Sequence, residues 1–341
     1  MQLSIIVPVY NMASGGKLNF CLDSLMKQTV RDYEVIAVDD ASTDGSPEIL
    51  KTYEEKYPRL LRVICLPENL RQGGAKNRAL EVCRGEYIGF VDSDDWVTPD
   101  MYDKLIQEAK KTGADIVGCD HVVTDEHSMR KKKILRGWDP DLYGENTDDT
   151  FRKLASNFGH MVTKIYRRSL FGDPDLRFPE HMFYEDNAIV LEVLHRARII
   201  SGVSEPMYYY YQNESSTVHQ ISEERCENRM EAMRIMLRYA EAGNYLDLFY
   251  PEIEFRFINL FYQNTLFSYM QGKQHKRVRF IRKLGKEMRT QFPNFQKNVI
   301  YLERVNREER KLIRLQQRST VLFLCVYKAL WFYRSVRYGK K

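Results

Sequence analysis

Apolar residues in the first 125 positions fall into short runs separated by longer amphipathic stretches. LSIIVPVY reads as a buried strand, and FCLDSLMKQ has helical spacing. YEVIAVDD predicts a second strand, followed by SPEILKTYEEKYP, a helix with Pro47 near its start and Pro58 at its end. LRVICLPE is a third strand, GGAKNRALEVCRG a helix closed by Gly85, and EYIGFVD a fourth strand. The helix PDMYDKLIQEAKKTG then precedes the strand ADIVGCD. This alternation predicts an α/β, Rossmann-like, mostly parallel sheet flanked by helices. Ligands bind such sheets at the carboxyl ends of the strands. Asn11, Asp39, Asp40, Asn69 and Asp92 through Asp95 all fall at those ends and converge as a ligand site would.

Downstream the pattern changes. Residues 124–150 mix charged and turn residues and predict a hairpin or a mobile loop. RKLASNFGHMVTKIYRRSLF and NAIVLEVLHRAR read as helices flanking LRFPEHMFYED, and EPMYYYYQNESSTVHQ ends in a hydroxyl-rich stretch. From about residue 222 the spacing is almost entirely helical. Two domains are expected, residues 1–220 and a helical, basic region over 221–341. Charge follows the same division: residues 221–341 hold 25 Lys and Arg against 12 Asp and Glu, so the net +5 of the chain conceals an acidic first part. The six cysteines show no metal-ligand spacing and suit buried thiols in a reducing compartment. No signal peptide is visible at MQLSIIVPVYN, and no uninterrupted apolar stretch reaches the roughly 20 residues of a membrane span. These features predict a cytoplasmic protein.

FVDSDDWV places three aspartates at the end of an apolar strand, where like charges repel unless a cation sits among them. In an extended Asp-x-Asp, side chains two apart share one side, so Asp92 and Asp94 can face one cleft. Carboxylate oxygens suit hard ions such as Mg²⁺ or Mn²⁺, and magnesium commonly bridges one or two carboxylates and substrate phosphates. A diphosphate ligand is therefore implied. Asp100, between Pro99 and a helical run, fits an N-cap.

SIIVPVYN, VDDASTDGS, NLRQGGAKNRAL and GEYIGFVDSDDWVTPDMY occur in the order and spacing of the family 2 glycosyltransferases with the GT-A fold. The resemblance extends through TKIYRRSLF, LRFPEHMFYED and EPMYYYYQNESST, and covers about residues 3–217. It implies a nucleotide-sugar donor, a UDP-sugar foremost, and a glycan or lipid-linked acceptor in bacterial cell-surface polysaccharide, such as capsule. By resemblance Pro8 and Tyr10 lie beside the uracil ring, Asp40 bonds the base, and Asn69 and Lys76 contact the nucleotide. Relatives usually carry Arg at the position of Lys76, and Lys lacks the planar fork. Asp39 stands where many have Asn. Ser42, Thr43 and Asp44 form a turn and helix cap. Asp92 is placed near ribose and metal, Asp94 as direct metal ligand, and Asp95 and Trp96 as structural residues.

Glu185 and Asp186, read locally, begin a helix, where carboxylates favour the dipole and cap backbone N–H groups. The resemblance instead assigns Asp186 as the base that deprotonates the acceptor hydroxyl, with Glu185 orienting the acceptor, in a single inverting displacement. After the tyrosines, Tyr211 and Gln212 occupy the neighbourhood of a family Arg. Ser216, Thr217 and His219 are candidate phosphate or metal contacts.

The C-terminal STVLFLCVYKALWFYRSVRYGKK joins apolar and aromatic residues to flanking cations. It suits either an amphipathic helix on an anionic leaflet at the inner face of the plasma membrane or a helix packed on the protein or on a second subunit. Nothing supports nucleic-acid binding. The alternative to an enzyme is a non-catalytic nucleotide-binding assembly subunit. A nucleotidyltransferase would need a Gly-rich triphosphate loop that the N-terminus lacks.

Overall fold

All seven residues of β1 (Leu3–Val9) are buried, because this strand lies inside the sheet with a parallel neighbour on each side, β2 (Tyr33–Asp39) and β4 (Tyr87–Phe90). A strand covered on both faces reads as a continuous apolar run, as LSIIVPV does. The computed structural model describes residues 1–137, 139–156, 158, 160–212, 221–272 and 275–338. The chain divides into two units, Met1–His219 and Gln220–Lys341.

In the first unit β3 (Leu61–Cys65) extends the sheet beyond β2, and α1 (Lys17–Met26), α2 (Ser46–Lys56) and α3 (Arg71–Leu80) make the connections. Next come β5 (Trp96–Val97), α4 (Met101–Thr112), β6 (Ile116–Thr124), β7 (Lys133–Leu135), β8 (Gly144–Glu145) and α5 (Asp148–Ala155). β9 (Lys164–Arg167), α6 (Glu185–Arg196) and β10 (Ile199–Tyr211) complete it. The strand order is β3-β2-β1-β4-β9-β6-β10-β5, with β7 on β6 and β8 on β10. β6 and β7 form the hairpin expected in residues 124–150.

Two local expectations are corrected. The stretch expected to be one helix through RKLASNFGHMVTKIYRRSLF ends its helix at Ala155, and KIYR forms β9, antiparallel to β4 and to β6. Ile165 and Tyr166 are fully buried there. Insertion between two strands fixes four residues that are too few to show a period of two. The helix from GGAKNRAL stops at Leu80, short of Gly85. Gly85 instead lies against β1, where a Cβ would come 2.4 Å from the Ser4 nitrogen. All six cysteines are free; Cys65 and Cys325 are exposed and the other four buried.

The second unit is helical throughout its described elements. These are α7 (Glu223–Ala242), α8 (Tyr250–Phe257), a π-helical segment (Ile258–Asn264), α9 (Thr265–Gln271), α10 (Val278–Gln291), α11 (Val299–Arg304), α12 (Arg307–Arg318) and α13 (Thr320–Tyr338). Ser222 and Asn306 cap α7 and α12 by accepting the backbone N–H groups of Arg225 and Glu309. Among the described residues no helix is long and apolar enough to cross a membrane.

Candidate active site

Three loops at the carboxyl ends of β1, β2 and β3 are bound to one another by side chains. Asn11 takes a left-handed conformation (φ 52°) after β1; its N–H donates to Ser42 Oγ at 2.9 Å, and its Oδ1 accepts the Thr43 N–H at 2.8 Å. Asp44 accepts the N–H groups of Ala13 and Ser46, both at 2.9 Å, so the 42–44 segment is the turn that the sequence implies, while the cap position of α2 itself falls to Gly45, which makes no side-chain cap bond. Asp40 is buried and its Oδ1 accepts the Leu70 N–H at 2.7 Å. Burial raises its pKa, opposed by the N–H groups of Leu70 and Arg71. Asn69 donates to the Asp40 carbonyl at 3.2 Å. Asp39 Oδ2 accepts the Ser42 N–H, while its Oδ1 is buried with no hydrogen-bond partner among the described residues. Pro8 is buried within β1, and Tyr10 is 48% exposed beyond its end. A clamped floor with one exposed aromatic ring results.

At the end of β4 the aspartates part company. Asp95 is fully buried: it accepts the Tyr208 hydroxyl at 2.5 Å and the Tyr211 N–H at 2.8 Å. Burial first, then Asp94 and Asp92, push its pKa well up. This is a structural carboxyl that fastens β10, and Trp96 beside it is buried against Phe20 and Tyr209. Asp92 and Asp94 are half-buried. The Asp92 carboxyl is pushed up to about 7 by burial and by Asp94, Glu185 and Asp186, against the pull of Lys76. Burial also raises Asp94, with Lys17 and His127 opposing it.

The Glu185–Asp186 pair arrives from far along the chain because α6 docks on α3. Gly73 permits the approach: a Cβ there would lie 2.1 Å from the Pro179 carbonyl oxygen and 3.3 Å from Glu185 Cβ. Asn77 clasps the same segment, donating to the Phe178 carbonyl at 2.9 Å and accepting the Phe178 N–H at 3.0 Å. Tyr184, at φ 65°, turns the chain into α6. Lys76 Nζ then donates to Glu185 Oε1 at 2.7 Å, with both side chains buried. Burial would lower the Lys76 pKa, but Glu185, Asp92 and Asp186 outweigh it and hold the ammonium charged. Asp186 Oδ1 accepts both the backbone and side-chain N–H of Asn187, at 2.7 and 2.9 Å. Its other oxygen has no hydrogen bond among the described residues.

Asp92, Lys76, Glu185 and Asp186 thus form one electrostatic cluster beside the β1–β3 floor. His219, Ser216 and Thr217 lie outside the described residues. The sequence reading did not single out Gln72, which links Asp92 Oδ1 and Lys76 Nζ at 3.4 Å each, or Asn77 and Tyr208. Nor did it foresee that Lys76 is engaged by Glu185, a pairing across 109 positions that carries no local signal. Among the described residues no three His, Cys, Asp or Glu side chains form a metal cage. Asp92 and Asp94 offer hard carboxylate oxygens to an ion that takes its remaining ligands from phosphate and water, and the charge crowding on Asp92 suits such an ion.

The sequence profile of glycosyl transferase family 2 matches residues 4–173. An uncharacterized glycosyltransferase, EpsJ of Bacillus subtilis (strain 168), is 33% identical over 227 residues, covering 63% of this chain and 62% of the relative. A poly(ribitol-phosphate) beta-glucosyltransferase of Bacillus spizizenii is 32% identical over 218 residues, covering 62% of this chain and 32% of that protein. The chain therefore spans under two thirds of the length of these relatives. The crystal structure of S. aureus TarS 1–349 in complex with UDP-GlcNAc superposes with a TM-score of 0.69 at 24% identity, over 93% of this chain and 88% of that one. The two share the fold, a mostly parallel sheet flanked by helices and followed by a helical region.

Proposed function

The chain belongs to glycosyl transferase family 2 through residues 4–173, and on that premise we propose an inverting, metal-dependent glycosyltransferase that moves a sugar from a UDP-sugar to a hydroxyl of a glycan or lipid-linked acceptor. Synthesis of cell-surface polysaccharide, including capsule, is the process it would serve. The observation that carries this reading is the meeting of the β4 aspartates and the Glu185–Asp186 pair around Lys76, beside an open, clamped loop floor. The TarS complex with UDP-GlcNAc and the poly(ribitol-phosphate) relative support the donor and acceptor classes.

The uracil ring packs on Tyr10 above Pro8, the base edge reaches Asp40, and Asn69 holds the loop that borders it. Asp94, with Asp92, would hold Mg²⁺ or Mn²⁺. Such an ion neutralises charge on a departing diphosphate. Asp186 accepts the acceptor proton at its free oxygen while Asn187 fixes the other one. Glu185 is held by Lys76 and orients the acceptor side of the cleft. Lys76, donating to Glu185, brings its charge to this carboxylate cluster, from which it would contact the nucleotide. The single displacement needs one base and no covalent sugar–enzyme step. On α13, exposed Trp331, Phe332 and Tyr333 beside Arg334 suit contact with an anionic leaflet.

Asp186→Asn should lower transfer about 10²–10⁴-fold while leaving UDP affinity unchanged. Transfer at the original rate would remove Asp186 from the base role. Asp94→Asn should abolish Mn²⁺-dependent UDP binding in calorimetry. A wild-type chain with no such binding would favour the non-catalytic assembly subunit. Truncation after Arg318 should release the protein from anionic liposomes, and undiminished binding would remove the α13 anchor.

A further inference from the structure

The second unit holds a cleft of about 490 Å³ that the transfer reaction does not use. One wall is α10, whose Arg279, Arg282, Lys283 and Lys286 follow the helical spacing of a single face. The opposite face of α10 buries Ile281, Leu284 and Met288. The floor is the stacked pair Phe257 and Phe261, ring centroids 4.3 Å apart and both buried. Arg234 on α7 completes the lining, its guanidinium 5.5 Å from the Phe261 ring centre.

The cations of this cleft are not equivalent. Arg234 is held by Glu231 at 2.7 Å and Glu287 at 2.5 Å, and Lys283 by Glu227 at 3.0 Å. The side chains of Arg279, Arg282 and Lys286 have no ion pair or hydrogen bond among the described residues. Like charges three and four apart on one helix face repel one another. A solvated basic face pays that cost without compensation; a face bordering a cavity recovers it when an anion enters. Two unpaired guanidinium forks and one ammonium match the oxygens of a phosphate, which Arg binds in bidentate fashion. The volume lies in the range of small-molecule sites and exceeds what a bare ion needs. The aromatic floor offers a surface for a carbon skeleton attached to that phosphate.

We infer that the α7–α8–α10 cleft is a second anion site, one that takes the phosphate ester of a polyol, sugar or lipid headgroup on Arg279, Arg282 and Lys286. The site lies within the second unit and stands or falls independently of the transfer chemistry. The full chain and the triple variant Arg279→Gln/Arg282→Gln/Lys286→Gln are compared with a charge-matched control, Lys297→Gln/Arg307→Gln/Lys311→Gln. All six positions are exposed, and thermal melts confirm that both variants fold. The probes are sodium tripolyphosphate in calorimetry and sedimentation with phosphatidylglycerol–phosphatidylcholine vesicles against phosphatidylcholine alone. A free phosphate source predicts tripolyphosphate binding that weakens about tenfold or more in the triple variant and within about twofold in the control. A headgroup source predicts weak tripolyphosphate binding throughout, with vesicle binding weakened in the triple variant and unchanged in the control. Triple and control variants that behave alike in both assays overturn the site. UDP binding by the same proteins, expected unchanged, separates that failure from a failure of the nucleotide reading.

Discussion

Lys76 on α3 and Lys164 on β9 are both buried in the first unit, 3% and 2% exposed, yet their surroundings treat the ammonium group in opposite ways. Around Lys76, Glu185 at 2.7 Å together with Asp92 and Asp186 overcomes the burial penalty and raises the pKa. Lys164 Nζ donates to the His160 carbonyl and, at 3.2 Å, to the Thr163 hydroxyl. Burial there pulls the pKa down to about 7, with Cys119 opposing only weakly enough to leave it low. At similar burial, the carboxylates around Lys76 are the cause that sets its pKa direction apart from that of Lys164. The proposed donor cleft is the region where that charge is held.

The comparison breaks most severely if Lys76 is made apolar. Lys76→Met leaves Glu185 buried without its counter-ion and should cost about 3–5 kcal/mol in urea unfolding. A loss near zero would show that the cluster tolerates its negative charge unaided. Glu185→Gln is the reciprocal change and should cost less, about 1–3 kcal/mol, since an amide can still accept from Lys76. The pKa of Lys76, followed by NMR of labelled lysine, should then fall towards that of Lys164; an unchanged value would transfer the credit to Asp92 and Asp186. The smallest effect concerns Lys164 itself. Its folded pKa lies below the unfolded one, so between about 7 and the ordinary lysine range the unfolded chain binds more protons and stability rises with pH. Lys164→Met should remove a slope of at most about 1.4 kcal/mol per pH unit, seen as wild type gaining on the variant from pH 7 to 9. Parallel stability curves for the two proteins would place Lys164 in its ordinary ionisation range.

Much of the first unit was legible because its strands are buried on both faces and its helices carry their own punctuation. LSIIVPV and YEVIAVD announce themselves as apolar runs, and Asp44 closes the turn its position suggests. β9 was not legible: four residues, KIYR, are strand only because β4 and β6 lie on either side of them. Asp95 was separable from Asp92 and Asp94 by resemblance, and its bonds to Tyr208 and Tyr211 supply the physical reason. The partnership of Lys76 with Glu185 could not be read, since it depends on α6 docking at Gly73 and on contacts a hundred residues apart. The basic cleft was visible only as the excess of Lys and Arg over residues 221–341, and its aromatic floor lies outside α10, at Phe257 and Phe261.

The distribution of thiols has a practical consequence. Cys65 and Cys325 are the two exposed cysteines, one in each unit, while Cys21, Cys83, Cys119 and Cys226 are buried. A maleimide dye pair would therefore attach to the native chain at one point per unit without any engineered residue. Burial, Asp39 and Glu54 raise the Cys65 pKa, so its labelling should speed up as the pH is raised. Energy transfer between the two dyes would then report, molecule by molecule, whether the units move against each other when UDP is added.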